Sequence, residues 1–198
     1  KECFSYGKPL IVSTGMWTEE EIKKAIDKFK TLGSNDFFML LANSTYPTPY
    51  ESINLEFLPV LNSMHSLIGY SGHERGTFIP ISAASLGARI VEKHITFDRS
   101  QTGPDHKASM LPLEFKEMVD NLRSLELALG DQKEVNQAER LAKEVFAKSA
   151  YAKEELPIGH ILTESDIYFK SPGKGLYQHE IESFYGKEIK CKIDKDSF

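Results

Sequence analysis

The sequence is poor in cysteine, in excess positive charge and in long apolar runs. Its two cysteines, Cys3 and Cys191, stand near opposite ends of the 198 residues, which argues against a disulfide framework or a zinc knuckle. The net charge of -5 disfavours nucleic acid and anionic membrane surfaces as partners. No apolar run reaches the roughly 20 residues that span a bilayer, and no signal peptide precedes the first predicted strand. We therefore expect a cytoplasmic protein in a reducing compartment.

A glycine fingerprint for dinucleotides is also missing, although strand-like and helix-like segments alternate throughout the first two thirds of the chain. Such alternation predicts a parallel sheet, either doubly wound or closed as a barrel. The unbroken hydrophobicity of DFFMLLAN indicates a strand covered on both faces. Four strands are predicted in all, within the segments PLIV (9–12), DFFMLLAN (36–43), IGYS (68–71) and RIVEKHIT (89–96).

Helix signals follow each predicted strand. Thr18 and Glu21 form a capping box for a helix that ends at Gly33. Pro112 is well placed to open the last of these helices, which Gly130 closes. The two intervening helices are predicted over Leu55–Met64 and Thr77–Leu86, the second ending at Gly87.

A barrel is favoured because all four strands deliver polar residues where they end, and barrel enzymes build their active sites at that rim. The residues are Ser13 after the first strand, Asn43, Ser44 and Tyr46 after the second, Ser71 and His73 after the third, and Glu92 and His94 after the fourth. Four strand–helix units cannot close an eight-stranded barrel and would leave two open edges. The expected fold is thus α/β, the C-terminal half of a (β/α)8 barrel. We expect the chain either to be the second half of a larger barrel or to pair with one.

The character of the sequence changes after the predicted half barrel. We place the half barrel at residues 1–131 and a charged, helix-prone linker at 132–149. Residues 150–198 combine short strands, turns and two short helical pieces, which predicts a small module of mixed structure. A module of about 50 residues has a marginal core, so it is expected to dock on another surface.

His73 and His94 occupy equivalent places, one strand–helix unit apart. Neighbouring strands lie about 4.8 Å apart and His–metal bonds measure about 2.1 Å, so two such imidazoles can share one ion. An ion with two histidine ligands and several open positions suits Mn²⁺ or Mg²⁺. The alternative is that both histidines only hydrogen bond to loops. Glu92 either orients an imidazole or points toward the helices.

The short polar side chains at the rim favour an anionic ligand as a set, although each alone is better explained as a helix cap or loop contact. The set consists of Ser13, Asn43, Ser44 and Ser71. Asp105 belongs either to a loop turn or to a contact with a sugar hydroxyl. Tyr46 either packs or forms the wall of a sugar pocket. His106 and Lys107 are expected to face solvent.

Six segments together resemble the sialic acid synthase (NeuB) family, in the family's order. They are VSTGM, STYPTPYESINL, IGYSGHERG, SLGARIVEKHITFDR and GPDHKAS, followed by a last module that resembles the antifreeze-like SAF domain. The resemblance covers only the second half of the family's barrel and the SAF domain. It implies the same fold as the strand pattern predicts.

The resemblance implies a metal-dependent condensation of phosphoenolpyruvate with an N-acetylmannosamine-type sugar, which gives a nine-carbon 2-keto acid and phosphate. It matches His73 and His94 to metal-binding, catalytic positions and Asp105 to an acidic sugar contact. Residues matched to substrate binding are Ser13 and Ser71 for phosphoenolpyruvate, Ser44 or Asn43 for the same ligand, and Tyr46 and Glu92 at the site. A domain-swapped homodimer of the full-length protein is also implied, and this chain alone is expected to be inactive.

Three positions depart from the family pattern. The family often has SDHT where this chain has SGHE, which leaves the role of Glu74 open. Asn43 precedes Ser44 where a small residue such as Thr is common, so either of the two is a candidate contact. The SAF segment usually reads RPG, with an arginine that reaches a neighbouring subunit; here it is Lys170-Ser171-Pro172-Gly173, and Lys170 or Lys174 is the candidate substitute. Lysine lacks the planar fork of arginine.

Two other functions compete with a synthase at this point. A non-catalytic sugar-binding or assembly module is consistent with the half barrel and the missing arginine. A different metal-dependent barrel enzyme, such as an aldolase, is consistent with the same rim of residues.

Overall fold

The computed structural model of the chain describes residues 2–32 and 36–198. It divides into two units, Lys1–Gly130 and Asp131–Phe198. The helices and strands of the first unit follow the predicted alternation. They are α1 (Glu2–Ser5), β1 (Leu10–Ser13), α2 (Glu19–Thr31), β2 (Phe37–Ala42), α3 (Phe57–Met64), β3 (Ile68–Gly72), α4 (Phe78–Ser85), β4 (Ile90–Lys93) and α5 (Pro112–Ala128).

Strands β1 to β4 form one parallel sheet in chain order. Ser13 pairs with Leu40, Ala42 with Ser71, and Ser71 with Glu92, so the strand ends lie side by side. Parallel strands in chain order require a crossover between each pair, and helices α2, α3 and α4 supply these crossovers. This arrangement confirms the predicted fold, a curled half barrel of parallel strands with helices.

The capping box predicted for α2 is present. The Thr18 amide donates to the Glu21 carboxylate at 2.8 Å, and the Glu21 amide donates to the Thr18 hydroxyl at 3.3 Å. The Thr18 amide and the Thr18 hydroxyl, which both donate to the Glu21 carboxylate, lower the pKa of Glu21 below its ordinary value. Ile22 and Ile26 from this helix are buried in the core. Its last residue is Thr31, and the predicted end at Gly33 lies outside the described residues.

The remaining helices also form where the sequence predicts them. A short 3₁₀ turn, Tyr50–Ser52, precedes α3, which begins two residues after the predicted start at Leu55. Gly87 has a φ of +101° just after α4, the left-handed conformation that ends a helix. Pro112 is the first residue of α5, and the Leu111 amide donates to Glu114 at 2.8 Å.

Strand β4 is shorter than predicted. It ends at Lys93, so His94 follows the strand, and Ile95 makes only an isolated bridge to Met110. Beyond Lys93, the Met110 amide donates to the His94 carbonyl at 2.9 Å and the Thr96 amide to the Met110 carbonyl at 2.9 Å. The chain therefore leaves the sheet for its own loop before the apolar pattern of RIVEKHIT ends.

The two faces of the sheet differ in what covers them. Side chains on the helix side form the main core, which includes Phe37, Met39, Leu41, Ile68 and Tyr70. On the opposite face Leu40 is buried, yet Ile11 remains half exposed, at 51%. Leu40 fits because it lies over Gly69, where a Cβ would meet the Leu40 side chain and approach the Ile90 carbonyl oxygen to 2.7 Å.

The second unit contains two α-helices and a two-stranded antiparallel sheet. Its elements are α6 (Gln137–Phe146), β5 (Ser149–Ala152), β6 (Ile167–Lys170) and α7 (Gln178–Ile181). A small core of its own includes Ala150, Leu156, Leu162, Ile181 and Ile189. The residue limits predicted for the half barrel, the linker and the last module stay predictions.

Among residues 2–32 and 36–198, every helix is too short or too polar to span a bilayer.

The packing at Gly69 generates a stability prediction. Replacing Gly69 by Ala in the full-length protein should lower the free energy of unfolding by about 1–3 kcal/mol, because the added methyl group overpacks the sheet against a fixed backbone carbonyl. Urea denaturation of the two proteins measures the difference. Gly130→Ala is the matched control, since nothing lies within 4 Å of a Cβ there. Equal destabilisation by both variants would contradict the packing role of Gly69.

Candidate active site

Three aromatic rings from consecutive strand–helix loops meet at the ends of β2, β3 and β4. The His73 and His94 ring centroids lie 5.2 Å apart with the planes at 89°. Tyr46 lies against both, with its centroid 4.2 Å from that of His73 and 5.6 Å from that of His94. The structure thus brings together the two predicted metal ligands and the predicted wall of the sugar pocket.

The tautomer of the neutral His73 ring is fixed by a main-chain acceptor. His73 Nδ1 lies 2.6 Å from the Asn43 carbonyl oxygen, and the residue is 8% exposed. A carbonyl oxygen only accepts hydrogen bonds, so Nδ1 carries the proton of the neutral ring. Nε2 is then left with a lone pair, which is the arrangement that metal-ligating histidines use.

The loop after β4 folds back toward His94. The Asp105 carboxylate lies 3.8 Å from His94 Nδ1, which is beyond hydrogen-bond range, and Asp105 is exposed. His106 holds this loop in place, because its Nδ1 lies 2.8 Å from the Thr96 hydroxyl. The expectation that His106 faces solvent is therefore wrong: the ring is partly buried against the end of its own loop, whereas Lys107 is exposed.

Ser71 and Glu92 form a pair on the face of the sheet opposite the helices. They are direct neighbours in the β3–β4 register, and the Ser71 hydroxyl donates to Glu92 Oε1 at 2.7 Å. Glu92 therefore contacts a serine, and it points neither at an imidazole nor toward the helices. The Ser71 hydroxyl can donate to an anionic ligand only by releasing this carboxylate.

Ser13 and Ser44 approach one another around Gly15. The Gly15 amide donates to the Ser13 hydroxyl oxygen at 3.3 Å, and a Cβ on Gly15 would clash with the Ser44 hydroxyl. The Asn43 side chain is engaged in its own loop, donating to the Ser52 carbonyl and accepting from the Thr45 amide, both at 3.0 Å. Of the two candidates after β2, Ser44 is the one whose side chain lies beside another predicted ligand contact.

One cleft of the first unit has neither His73 nor His94 among its lining residues. Its volume is about 970 Å³, and Thr14, Asn43 and Ser44 line one side of it. Glu19, Glu51 and Glu56 line it as well, and these carboxylates oppose an anionic ligand. We therefore assign the site to the ring cluster and the serines at the strand ends, on chemistry and not on cleft size.

The donors fit a metal ion only as a partial ligand set. Within the described part of the chain, no group of three or more His, Cys, Asp or Glu side chains is arranged to hold a metal. His73 offers a free Nε2, and the His94 ring stands beside it. Two imidazoles suit an ion that keeps water or substrate oxygens as its other ligands.

Lys170 lies in the second unit and has partners there. Its Nζ is 3.5 Å from Asp196 Oδ1 and lies over the Tyr151 and Tyr168 rings, 4.5 and 5.0 Å from their centroids. Tyr168 and Asp196 raise the pKa of Lys170 above its ordinary value. A role for Lys170 at the sugar site of another subunit stays a prediction.

One polar cluster next to the site is missing from the sequence prediction. Tyr70, Glu74 and Lys93 are buried together on the helix side of the sheet. The alternation of side chains along the strand could have indicated this cluster. Lys93 alternates in step with Val91, on the helix side, and not with Glu92 and His94. A lysine on the helix side of a strand requires a buried anionic partner.

Comparison with known proteins gives the chain a family. Residues 1–134 match the model of the NeuB family, and residues 147–198 match that of the SAF domain. The chain belongs to the NeuB family. Both resemblances predicted from the sequence are thereby confirmed.

Relatives of this NeuB-family chain include a pseudaminic acid synthase and an N-acetylneuraminate-9-phosphate synthase. It is 38% identical to a pseudaminic acid synthase of Campylobacter jejuni, over 94% of this chain and 55% of the relative. It is 35% identical to the human N-acetylneuraminate-9-phosphate synthase, over 96% and 54%. The crystal structure of the N-acetylneuraminic acid synthetase of Leptospira borgpetersenii, in complex with citrate, superposes with a TM-score of 0.63 at 32% identity, over 71% of this chain and 50% of that one. The chain thus spans about half the length of these relatives.

The hydrogen bonds of two histidines predict opposite ring tautomers. His73 should carry its proton on Nδ1, whereas His65, whose Nε2 lies 2.6 Å from the Phe37 carbonyl oxygen, should carry it on Nε2. Long-range ¹H–¹⁵N correlation spectra of the ¹⁵N-labelled full-length protein, recorded at about pH 8.5 where imidazoles are neutral, distinguish the two forms. An Nε2-protonated His73 would contradict the proposed availability of that nitrogen to a metal.

Proposed function

We propose that the protein containing this chain is a synthase of the sialic acid type. It condenses phosphoenolpyruvate with an N-acetylmannosamine-type sugar, and the products are a nine-carbon 2-keto acid and inorganic phosphate. The observation that carries the proposal is the cluster of His73, His94 and Tyr46 at the strand ends of a NeuB-family half barrel. The named activities of the relatives support the same reaction type.

His73 and His94 are the proposed ligands of a divalent metal ion, Mn²⁺ or Mg²⁺. When bound, such an ion polarises a carbonyl oxygen of the substrate as a Lewis acid. The chain's own contribution is to hold the Nδ1 proton of His73 on the Asn43 carbonyl, so that the neutral ring presents the Nε2 lone pair, and to hold the two rings in contact. Both contributions are present before substrate arrives, which reduces reorganisation during the reaction.

Ser13 and Ser44 are the proposed contacts of the phosphate or carboxylate of phosphoenolpyruvate. Ser13 ends β1 and Ser44 follows β2, and both lie beside Gly15, where the missing side chain leaves room for the Ser44 hydroxyl. Ser71 is a third donor. Its hydroxyl would give up the hydrogen bond to Glu92 and donate to the substrate instead. Such contacts hold the C3 atom of phosphoenolpyruvate close to the sugar aldehyde in a reactive geometry.

The reaction needs no reactant besides the two substrates and water. C3 of phosphoenolpyruvate forms a bond to the aldehyde carbon of the open-chain sugar, whose oxygen takes up a proton. Water adds at C2, the C–O bond to phosphate breaks, and the 2-keto group remains. Asp105 is the proposed acceptor of a hydrogen bond from a sugar hydroxyl; its exposed carboxylate near His94 supports this role. Tyr46 packs along the same wall.

A phosphate-release assay on the full-length protein tests the reaction. We expect turnover that requires phosphoenolpyruvate, an N-acetylmannosamine-type sugar and a divalent metal, and that stops with a chelator. Formation of a 2-keto acid from pyruvate and the sugar, without phosphoenolpyruvate and without phosphate release, would instead indicate an aldolase. Sugar binding by calorimetry without any turnover would indicate a non-catalytic module. A domain-swapped homodimer and a cytoplasmic location are part of the same proposal.

Replacing His94 by Ala should remove the bound metal from the full-length protein and with it the turnover. The remaining imidazole, His73, leaves one protein ligand where the proposal needs two. Metal content by elemental analysis after gel filtration measures the effect. His179→Ala in the second unit is the matched control, because His179 stacks on Tyr177 and lies in neither the ring cluster nor its loops. Unchanged metal content in the His94 variant would refute the ligand assignment.

A further inference from the structure

A buried charged cluster lies directly behind the ring cluster, on the helix side of the sheet. The Glu74 and Lys93 side chains are 0% and 1% exposed, and Lys93 Nζ lies 2.9 Å from Glu74 Oε1. Lys93 Nζ also donates to the Glu74 carbonyl oxygen at 2.5 Å. The other carboxylate oxygen of Glu74 accepts from the Tyr70 hydroxyl at 2.6 Å. One cation and one phenol thus satisfy the carboxylate.

The position of the pair relates it to the histidines. Glu74 directly follows His73 after β3, and Lys93 directly precedes His94 at the end of β4. Successive residues of a strand point to opposite faces, so Lys93, like Val91, lies on the helix side of the sheet. His94 is the first residue after the strand, and its ring contacts that of His73. The pair therefore ties together the two chain segments that carry the rings, one residue away from each ring.

Gly72 makes room for this pair. It is the register partner of Lys93, and a Cβ at this position would lie 2.6 Å from Tyr70 Cε1 and 2.8 Å from each carboxylate oxygen of Glu74. Any larger residue there would push the carboxylate away from the lysine. The segment Tyr70–Glu74 is thus built around the ion pair, from the strand into the loop.

Stability alone is a weak explanation for burying these charges. Desolvation of two ions costs several kcal/mol each, and apolar residues of similar volume often stabilise a protein as well or better. Desolvation by burial lowers the pKa of Lys93, and the Glu74 carboxylate opposes that shift. The burial and the adjacent Glu74 carboxylate also raise the pKa of the Tyr70 hydroxyl, so it remains a donor. What the charges add over apolar packing is a fixed direction and distance.

We propose that Glu74 and Lys93 are positioning residues, which set the spacing and orientation of the His73 and His94 rings. Neither side chain reaches the face where substrate would bind, so their effect passes through the backbone of the two strand ends. The proposal rests on the proposed function, because it takes the two histidines as the metal-binding pair. It also gives a role to the glutamate of SGHE, a position where the sequence departs from the common family pattern.

The test compares three variants of the full-length protein. Lys93→Met removes the cation and leaves a buried carboxylate without its partner. Glu74→Gln/Lys93→Met removes both charges and keeps an acceptor for Tyr70, so it avoids an unpaired buried charge. Lys116→Met is the matched control, because Lys116 forms an exposed ion pair with Asp120 on α5, away from the strand ends.

We expect Mn²⁺ affinity, measured from the free-ion electron paramagnetic resonance signal, to fall about 10- to 100-fold in the double variant. Its melting temperature should stay close to that of the unmodified protein. The KM for phosphoenolpyruvate should change less than the Mn²⁺ affinity, since two of the three proposed donors, Ser13 and Ser44, lie outside β3 and β4. Lys116→Met should change none of these quantities. Unaltered Mn²⁺ affinity in a folded double variant would overturn the proposal.

A metal-free readout separates this proposal from the proposed function. In ¹⁵N spectra without added metal, the ring nitrogens of His73 and His94 should shift in the double variant, while those of His65 should not. If the unmodified protein neither binds Mn²⁺ nor releases phosphate, the proposed function fails, yet these ring shifts would still support a positioning pair. Unchanged ring signals would refute the positioning pair even in a protein with full synthase activity.

Discussion

Parallel pairing of four consecutive strands is the constraint on which the remaining features of the site depend. Because the strands run in chain order with a regular register, their carboxyl ends lie side by side and the loops that follow them converge. Ser71 and Glu92 become direct neighbours, and the His73 and His94 rings reach contact distance. Residues separated by about twenty positions in sequence are therefore joined by the sheet and not by any local motif.

The alternation of side chains across this sheet gives each strand two tasks. The helix side of β2 and β3 supplies the apolar core, the opposite side carries Ser71, and the loops beyond the strand ends carry the ring cluster. At the end of β4 the two tasks occupy adjacent residues, since Lys93 anchors the strand from behind and His94 faces the site. We infer that this coupling lets a rigid core determine the geometry of an exposed site, as catalytic sites on strands require.

Much of the fold could be predicted from the sequence because its signals are local. The Thr18–Glu21 capping box, the apolar run at residues 37–42 and the helix end at Gly87 each follow from residues close in the chain. The equivalent placement of His73 and His94 could also be predicted, because it follows from counting strand–helix units.

What the sequence did not predict depends on partners far along the chain. Strand β4 ends early because Met110 takes over the hydrogen bonds of the following residues. His106 is partly buried because it hydrogen bonds to the Thr96 hydroxyl. Glu92 accepts a hydrogen bond from Ser71 on the neighbouring strand. The burial of Lys93 depends on Glu74, nineteen positions earlier. Local sequence periodicity cannot predict such pairings, although the alternation of side chains along β4 does indicate that Lys93 faces the helices.

The central claim is that two imidazoles, held by the strand ends, share one divalent ion. Pulsed electron paramagnetic resonance of Mn²⁺ bound to the full-length protein counts the coordinating histidine nitrogens through their coupling to the metal. The account predicts two coupled imidazole nitrogens in the unmodified protein and one after removal of either His73 or His94. A spectrum showing only water and carboxylate oxygens around the ion would contradict it.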